Sequence, residues 1–273
     1  MTQTNSGWKP RIGRLFRSIT RILFLLVAIL SLAYWWNPQK IHYPQRQLIN
    51  SPRVDPDLAS LISPQTRITV VVGHPDDAEF FTSGTLLKLK GKITLIVVTD
   101  GDKSYYPPFT TNVNENRRVR RLEQTTASAS YHAKVIFLGG PDGRYDPDEP
   151  ALRDRLRQTM IASKPDYIIA FESEYVPTIQ HRDHENSGKA TLELASQTSA
   201  KWALLFATNS PNFYFDTTGT WTKREELLAV HASQFYGEKL ERVKGFVMSK
   251  AENEGEIIGT ETAEAFRAIK LKP

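Results

Sequence analysis

The chain has 273 residues, 40% of them hydrophobic and 24% charged, which excludes wholesale disorder and fits one α/β domain of about 200–230 residues with a short N-terminal element. Lys and Arg exceed Asp and Glu by 35 to 30, but Lys9, Arg11, Arg14, Arg17 and Arg21 supply that whole excess, so the other 252 residues are neutral and speak against nucleic acid as a partner. The absence of cysteine excludes disulfides, thiolate metal sites and a Cys nucleophile, and leaves the compartment open.

Residues 1–21 read as a basic leader. Residues 22–36, Ile22 to Trp36, carry no charge; as a helix they extend roughly 22 Å against a hydrocarbon core of about 30 Å. Arg17 and Arg21 suit snorkelling at one end, and Trp35 and Trp36 an interfacial belt at the other. The segment is expected to be a single-pass signal anchor; the alternative is a signal peptide cleaved near Ser31-Leu32-Ala33, leaving a secreted protein. Either way the positive flank stays cytoplasmic and the remainder lies on the extracytoplasmic (periplasmic) side. Residues 37–66, with Pro38, Pro44, Pro52, Pro56 and Pro64, read as a linker, and residues 67–273 as the folded domain.

In the domain, β-branched or apolar runs predict strands over 67–73, 93–99, 135–138, 167–171 and 202–206. Helical spacing falls between them over 80–89, 117–131, 151–163 and 184–199. Near-continuous apolar strands alternating with helices predict a Rossmann-like, doubly wound and mainly parallel sheet, preceded by the N-terminal hydrophobic helix. Residues 237–273 are mixed, with 245–248 reading as a late strand.

Ligands of such sheets bind at the carboxyl ends of the strands. The loops there hold His74-Pro-Asp-Asp77, Asp100-Gly-Asp102, Gly139-Gly-Pro-Asp-Gly143 and His181-Arg-Asp-His184. A glycine-rich nucleotide loop is missing from the first turn, which argues against a nicotinamide or flavin enzyme. Two histidines and an aspartate with an open position are a common catalytic Zn²⁺ set, and a neighbouring carboxylate supplies a general base. Each residue also has a plainer reading: Asp76, Asp77 or Asp183 as a helix cap, His184 as the opening of its helix, His181 as a surface side chain. Two His/Asp clusters at two strand ends favour the site.

The stretch Ile68 to Glu79, then Ser83-Gly-Thr85, Val97 to Gly101, Arg120-x-x-Glu123, Phe137-Leu-Gly139 with Pro141-Asp-Gly143, Lys164-Pro-Asp166, His181-x-Asp-His184 and His231-x-Ser-Gln234 resembles, in order, the PIG-L / LmbE-like deacetylases. The resemblance implies His74, Asp77 and His184 as metal ligands, usually for Zn²⁺, with Fe²⁺ or another divalent ion as the other choice. It implies Asp76 as general base, His181 as the histidine that stabilises the oxyanion and protonates the amine, Asp183 as the carboxylate orienting His181, and Arg120 on the substrate side. The sequence departs from the commonest pattern in three places: Ala78 precedes Glu79, Ser83 stands in the usual Gly-Gly-Thr, and Tyr131-His132 replaces Leu-Gly. The implied activity is metal-dependent removal of an N-acetyl group from an N-acetylglucosamine-type sugar of a glycan, glycolipid or glycoside. Other readings are a metal-dependent hydrolase of another amide or ester, and a catalytically silent carbohydrate-binding module. Tyr105, Tyr106 and Phe109 are candidates for stacking on sugar or for packing their own loop; Tyr175 and Trp221 are weaker stacking candidates. Oligomeric state is not legible.

Overall fold

The computed structural model describes residues 56–271, apart from residue 108 and residues 175–181. The leader, the apolar segment 22–36, most of the expected linker, Tyr175 and His181 lie outside the described residues. Among the described residues, no helix is long and apolar enough to cross a membrane.

The chain enters through a short helix α1 (Pro56–Ala59) and a 3-10 turn (Ser60–Ile62), followed by β1 (Arg67–Val72), α2 (Asp77–Lys88), β2 (Lys92–Thr99), α3 (Val113–Ala129) and β3 (Lys134–Gly140). It continues with α4 (Pro150–Ser163), β4 (Tyr167–Phe171), α5 (Arg182–Ala195) and β5 (Trp202–Phe206). The chain then adds β6 (Phe213–Asp216), α6 (Trp221–Val230), α7 (Gly237–Ile258) and β7 (Ala263–Lys270). Leu58 and Leu61, within the stretch expected as linker, are buried in the core of the folded body.

The strands form one seven-stranded sheet in the order β3-β2-β1-β4-β5-β7-β6. The first five are parallel, with β1 between β2 and β4. β7 runs antiparallel to both β5 and β6. Successive strand residues supply opposite faces, as the period of two requires. Val70, Val72, Leu95, Val97, Ile169, Phe171, Leu204 and Phe206 build one core, covered by α2 and α3 through Ala78, Leu86 and Ala127. Val71, Ile96, Val98, Ile168, Ala170, Ala203 and Leu205 build the other, covered by Leu152, Leu156 and Met160 of α4 and Ala190, Leu194 and Ala195 of α5. Burial on both faces explains why the strands read as continuous apolar runs.

From β1 the chain winds outward to β2 and β3, then returns across β1 to β4 and β5. The reversal falls between β1 and β4, so their carboxyl ends flank the crevice of a doubly wound sheet.

The strand expected over 245–248 does not exist: these residues lie in α7. Leu240, Val243, Val247 and Ala251 recur at helical spacing and face the body, and Val247 and Ala251 are buried. Four apolar residues in a row imitate a strand only because Phe246, outside that stripe, stays about half exposed.

Candidate metal centre and active site

His74 lies in the turn between β1 and α2, Asp77 opens α2, and His184 sits in the first turn of α5, next to β4. Gly73 permits their approach: a Cβ there would stand 3.1 Å from His184 Cδ2 and 3.3 Å from Asp77 Oδ2. His74 Nδ1 is 3.1 Å from His184 Nε2, which is 3.1 Å from Asp77 Oδ1; His74 Nδ1 is 3.6 Å from Asp77 Oδ2. All three residues are buried. Bonds of about 2.0–2.1 Å to a tetrahedral ion place ligand atoms about 3.3 Å apart. The observed spacings bracket that value, and the N, O, N donor set suits Zn²⁺ or a similar divalent cation.

Two further carboxylates face the other nitrogen of His74. Its Nε2 lies 3.2 Å from Asp183 Oδ2 and 3.3 Å from Asp142 Oδ1. These acceptors assign the imidazole proton to Nε2 and turn the Nδ1 lone pair toward His184 and Asp77, the arrangement by which outer carboxylates orient a ligating histidine. Asp183 also accepts from the backbone N–H of Gly143 at 2.5 Å and Tyr145 at 3.0 Å. Asp183 thus partners His74; His181, which it is expected to orient, lies outside the described residues.

Burial opposes the charge of each group here, but the contacts outweigh it. His184 and His74 hold Asp77 far below the ordinary carboxylate range. His74 and the Lys103 N–H hold Asp142 at about 2, and His74 with the two backbone N–H groups lowers Asp183. Asp142, Asp183 and Asp77 in turn raise His74 well above its ordinary value. Three carboxylates that stay ionised around two imidazoles form an electron-rich pocket suited to a cation.

Asp76 points elsewhere. It precedes α2 with φ at 134°, a backbone region that L residues rarely adopt, and its side chain makes no capping bond, so the cap reading fails. Its Oδ2 lies 2.9 Å from Arg120 Nη2. Burial pushes its carboxyl up; Arg120 pulls it down and Asp77 adds to the rise. Arg120, expected on the substrate side, is buried and has its donors turned into the protein: Nη2 donates to the Pro75 carbonyl at 2.7 Å and Nη1 to the Gly101 carbonyl at 2.6 Å. It ties the first two strand-end loops together at the wall of the cavity described below. Gly101 is required there, with φ at 59° and a virtual Cβ only 2.1 Å from Arg120 Nη1. Arg121 chelates Asp100 with two bonds of 2.8 Å, and Arg117 bonds Asp102, so the basic stripe of α3 braces the β2 loop.

These groups border a cavity of about 590 Å³, whose lining includes His74, Asp76, Asp77, Asp142 and His184. Phe235, Lys239 and Phe246 bring residues that follow α6 to its rim, and Phe80 stacks on Phe246 with ring centroids 5.8 Å apart. Tyr106 and Phe109 instead pack edgewise and tilted on Tyr236, at 6.0 and 4.9 Å, and are absent from the lining; Trp221 packs beneath Arg224. Asp142, in a strand-end loop, joins the site without having been distinguished by its sequence from the other loop carboxylates. Glu79, Gln124 and His231, to which the sequence assigns no role, are buried behind the site. Two of the three departures from the commonest motif meet there: Tyr131 Oη donates to Glu79 Oε1 at 2.5 Å.

Residues 69–195 match the PIG-L family model, described as GlcNAc-PI de-N-acetylase. Among solved structures, the N,N'-diacetylchitobiose deacetylase from Pyrococcus horikoshii is similar with a TM-score of 0.70 and 22% identity, over 77% of this chain and 87% of that one. The 4-carboxy-2-hydroxymuconate hydratase GalB from Pseudomonas putida gives a TM-score of 0.61 at 17% identity, over 75% and 96%. The pseudoaglycone deacetylase Dbv21 gives 0.58 at 17% identity, over 77% and 99%. At such identities the likeness speaks for the fold, which carries more than one chemistry.

Proposed function

Residues 69–195 of this chain are a PIG-L family domain, and on that premise we propose that the protein is a metal-dependent N-deacetylase acting on an N-acetylglucosamine-type sugar of a glycan, glycolipid or glycoside. The observation that carries this reading is the meeting, in one cavity, of the His74, Asp77 and His184 donor triangle with the separately held carboxylate of Asp76.

In this reading His74, Asp77 and His184 hold a divalent ion, Zn²⁺ first among the choices, with Asp183 and Asp142 orienting His74 from behind. When bound, the ion lowers the pKa of water and polarises the acetamide carbonyl. Asp76 accepts the proton of the attacking water, and Arg120 fixes which of its oxygens remains free. Burial and the Asp77 charge make Asp76 more basic than an ordinary carboxylate, which suits that task. His181, three residues before His184, is assigned to the oxyanion and the leaving amine. The products are acetate and the free amino sugar. Phe246, half exposed at the cavity rim, offers a flat apolar face for a sugar ring.

Residues 22–36 are proposed as a membrane anchor with the catalytic domain outside the cytoplasm, supported by the five preceding cations. Such placement favours an envelope or exported glycan as substrate.

The test is acetate release by the purified full chain from N-acetylglucosamine, N,N'-diacetylchitobiose and longer N-acetylated oligosaccharides, with added Zn²⁺ and with chelator. Chelator-sensitive release from at least one of them is expected. Stoichiometric metal with no release from any would contradict the reading.

A further inference from the structure

Asp76 is held in an unfavourable backbone conformation, and such strain persists only where the surroundings over-determine it. One fixture is Arg120, on the Pro75 carbonyl and the Asp76 carboxylate. The other is the side chain of Gln124, one turn further along α3, whose Oε1 accepts from the Asp76 N–H at 3.0 Å.

Gln124 is itself fully buried and can face only one way. Its Nε2 donates to Glu79 Oε1 at 2.9 Å and to Ser128 Oγ at 3.1 Å. An amide flip would set its oxygen against the Glu79 carboxylate and its nitrogen against the Asp76 N–H, so the acceptor is locked toward Asp76. Glu79 is locked in turn. Its Oε1 accepts from Tyr131 Oη at 2.5 Å, and its Oε2 lies 3.0 Å from His231 Nε2. None of these four side chains is more than slightly exposed. The His231 segment is pinned to α3 as well, because Ser233 donates to Glu123 from its N–H at 2.8 Å and from its Oγ at 2.6 Å. Sequence features that take no part in the chemical step, Glu79, Glu123 and the His231 motif, thereby converge behind the backbone of one catalytic residue.

We propose that Gln124, oriented by Glu79, Tyr131 and His231, is the positioning residue of the general base: it fixes the strained Asp76 backbone so that the carboxylate reaches the attacking water. This inference rests on the deacetylase reading with Asp76 as base.

The test is a double-mutant cycle with Gln124→Met and Asp76→Asn, read as kcat and KM for acetate release together with metal content. Gln124→Met is expected to lower kcat at least tenfold while KM stays within about twofold and metal remains at one per chain. In the Asp76→Asn background the same substitution is expected to cost less than twofold, because there is no base left to position. Equal losses in both backgrounds, or unchanged kcat in the single variant, would overturn the proposal. If Gln124→Met does not fold, Tyr131→Phe, which removes one hydroxyl, serves in the same cycle; a loss of about threefold confined to the Asp76 background is expected, and an additive result or none is contrary. Wild-type protein that releases no acetate from any sugar would instead remove the deacetylase reading on which this rests.

Discussion

Asp183→Asn separates two roles for a buried carboxylate. Asp183 has no exposed surface and faces three donors: Gly143 N–H at 2.5 Å, Tyr145 N–H at 3.0 Å and His74 Nε2 at 3.2 Å. Asparagine keeps one oxygen and presents an NH2 where the other was, so at least one donor meets another donor. A hydrogen bond to a charged group contributes about 1.5–3 kcal/mol, and a buried donor without a partner costs about 1–3 kcal/mol. A net loss of about 3 kcal/mol is expected in the metal-free protein, which for a domain this size lowers Tm by about 6–12 °C. Because His74 loses the partner that fixes its ring, divalent metal should bind about 10–100-fold more weakly. Thermal unfolding in chelator and a competitive metal titration measure the two effects. A variant with wild-type metal affinity and a Tm within about 2 °C would refute the assignment to His74. Reduced kcat alongside intact metal affinity would return Asp183 to the role of orienting His181.

Three further substitutions probe the frame. Gly101→Ala places a methyl group 2.1 Å from Arg120 Nη1 at a positive φ. Strain of about 1–2 kcal/mol is expected, with kcat falling because Arg120 is displaced from Asp76; unchanged melting and turnover would show that the loop relaxes freely. Phe246→Ala should raise KM for oligosaccharides about 3–10-fold with kcat intact, since it removes a stacking face away from the reacting atoms; a fall in kcat alone would be contrary. Glu172 directly follows β4 and forms a double ion pair with Arg267 on β7. Burial opposes its charge, but Arg267 leads the contacts that hold its carboxyl below the ordinary 4.5. Its folded value being depressed, this stabilisation is complete above the unfolded value and is lost as pH falls from about 4.5 through the lower folded one. Glu172→Gln should therefore flatten the slope of urea stability against pH below 4.5. An unaltered slope would show that the pair does not contribute.

Much of the parallel half of the fold is legible because its forces are local. Strands 167–171 and 202–206 fall where continuous apolar runs predict them, and the helices between strands are found with shifted ends. α2 starts at Asp77 rather than Phe80, and α3 at Val113 rather than Arg117, because their first turns are mostly polar, Asp77-Ala-Glu79 and Val113-Asn-Glu-Asn116, and carry no apolar period. Asn112 caps α3 by accepting from the Glu115 N–H at 3.0 Å. The final third was harder. β6 and β7 pair antiparallel across some fifty residues, and no local period reports such a partner. The three residues of the donor triangle were legible from strand-end clusters and motif together. The sequence does not show that Arg120 reaches the backbone carbonyls of two distant loops and the Asp76 carboxylate at the cavity wall. Gln124 carries no motif signal, and only the conformation of Asp76 reveals its use.

Paired measurement of metal content and acetate release in Asp76→Asn and His184→Ala tests the central claim most directly. The account predicts that the first variant keeps one divalent ion per chain and loses turnover by at least about 100-fold, whereas the second loses the ion and the activity together. Full turnover in Asp76→Asn, or a stoichiometric ion retained by His184→Ala, would contradict it.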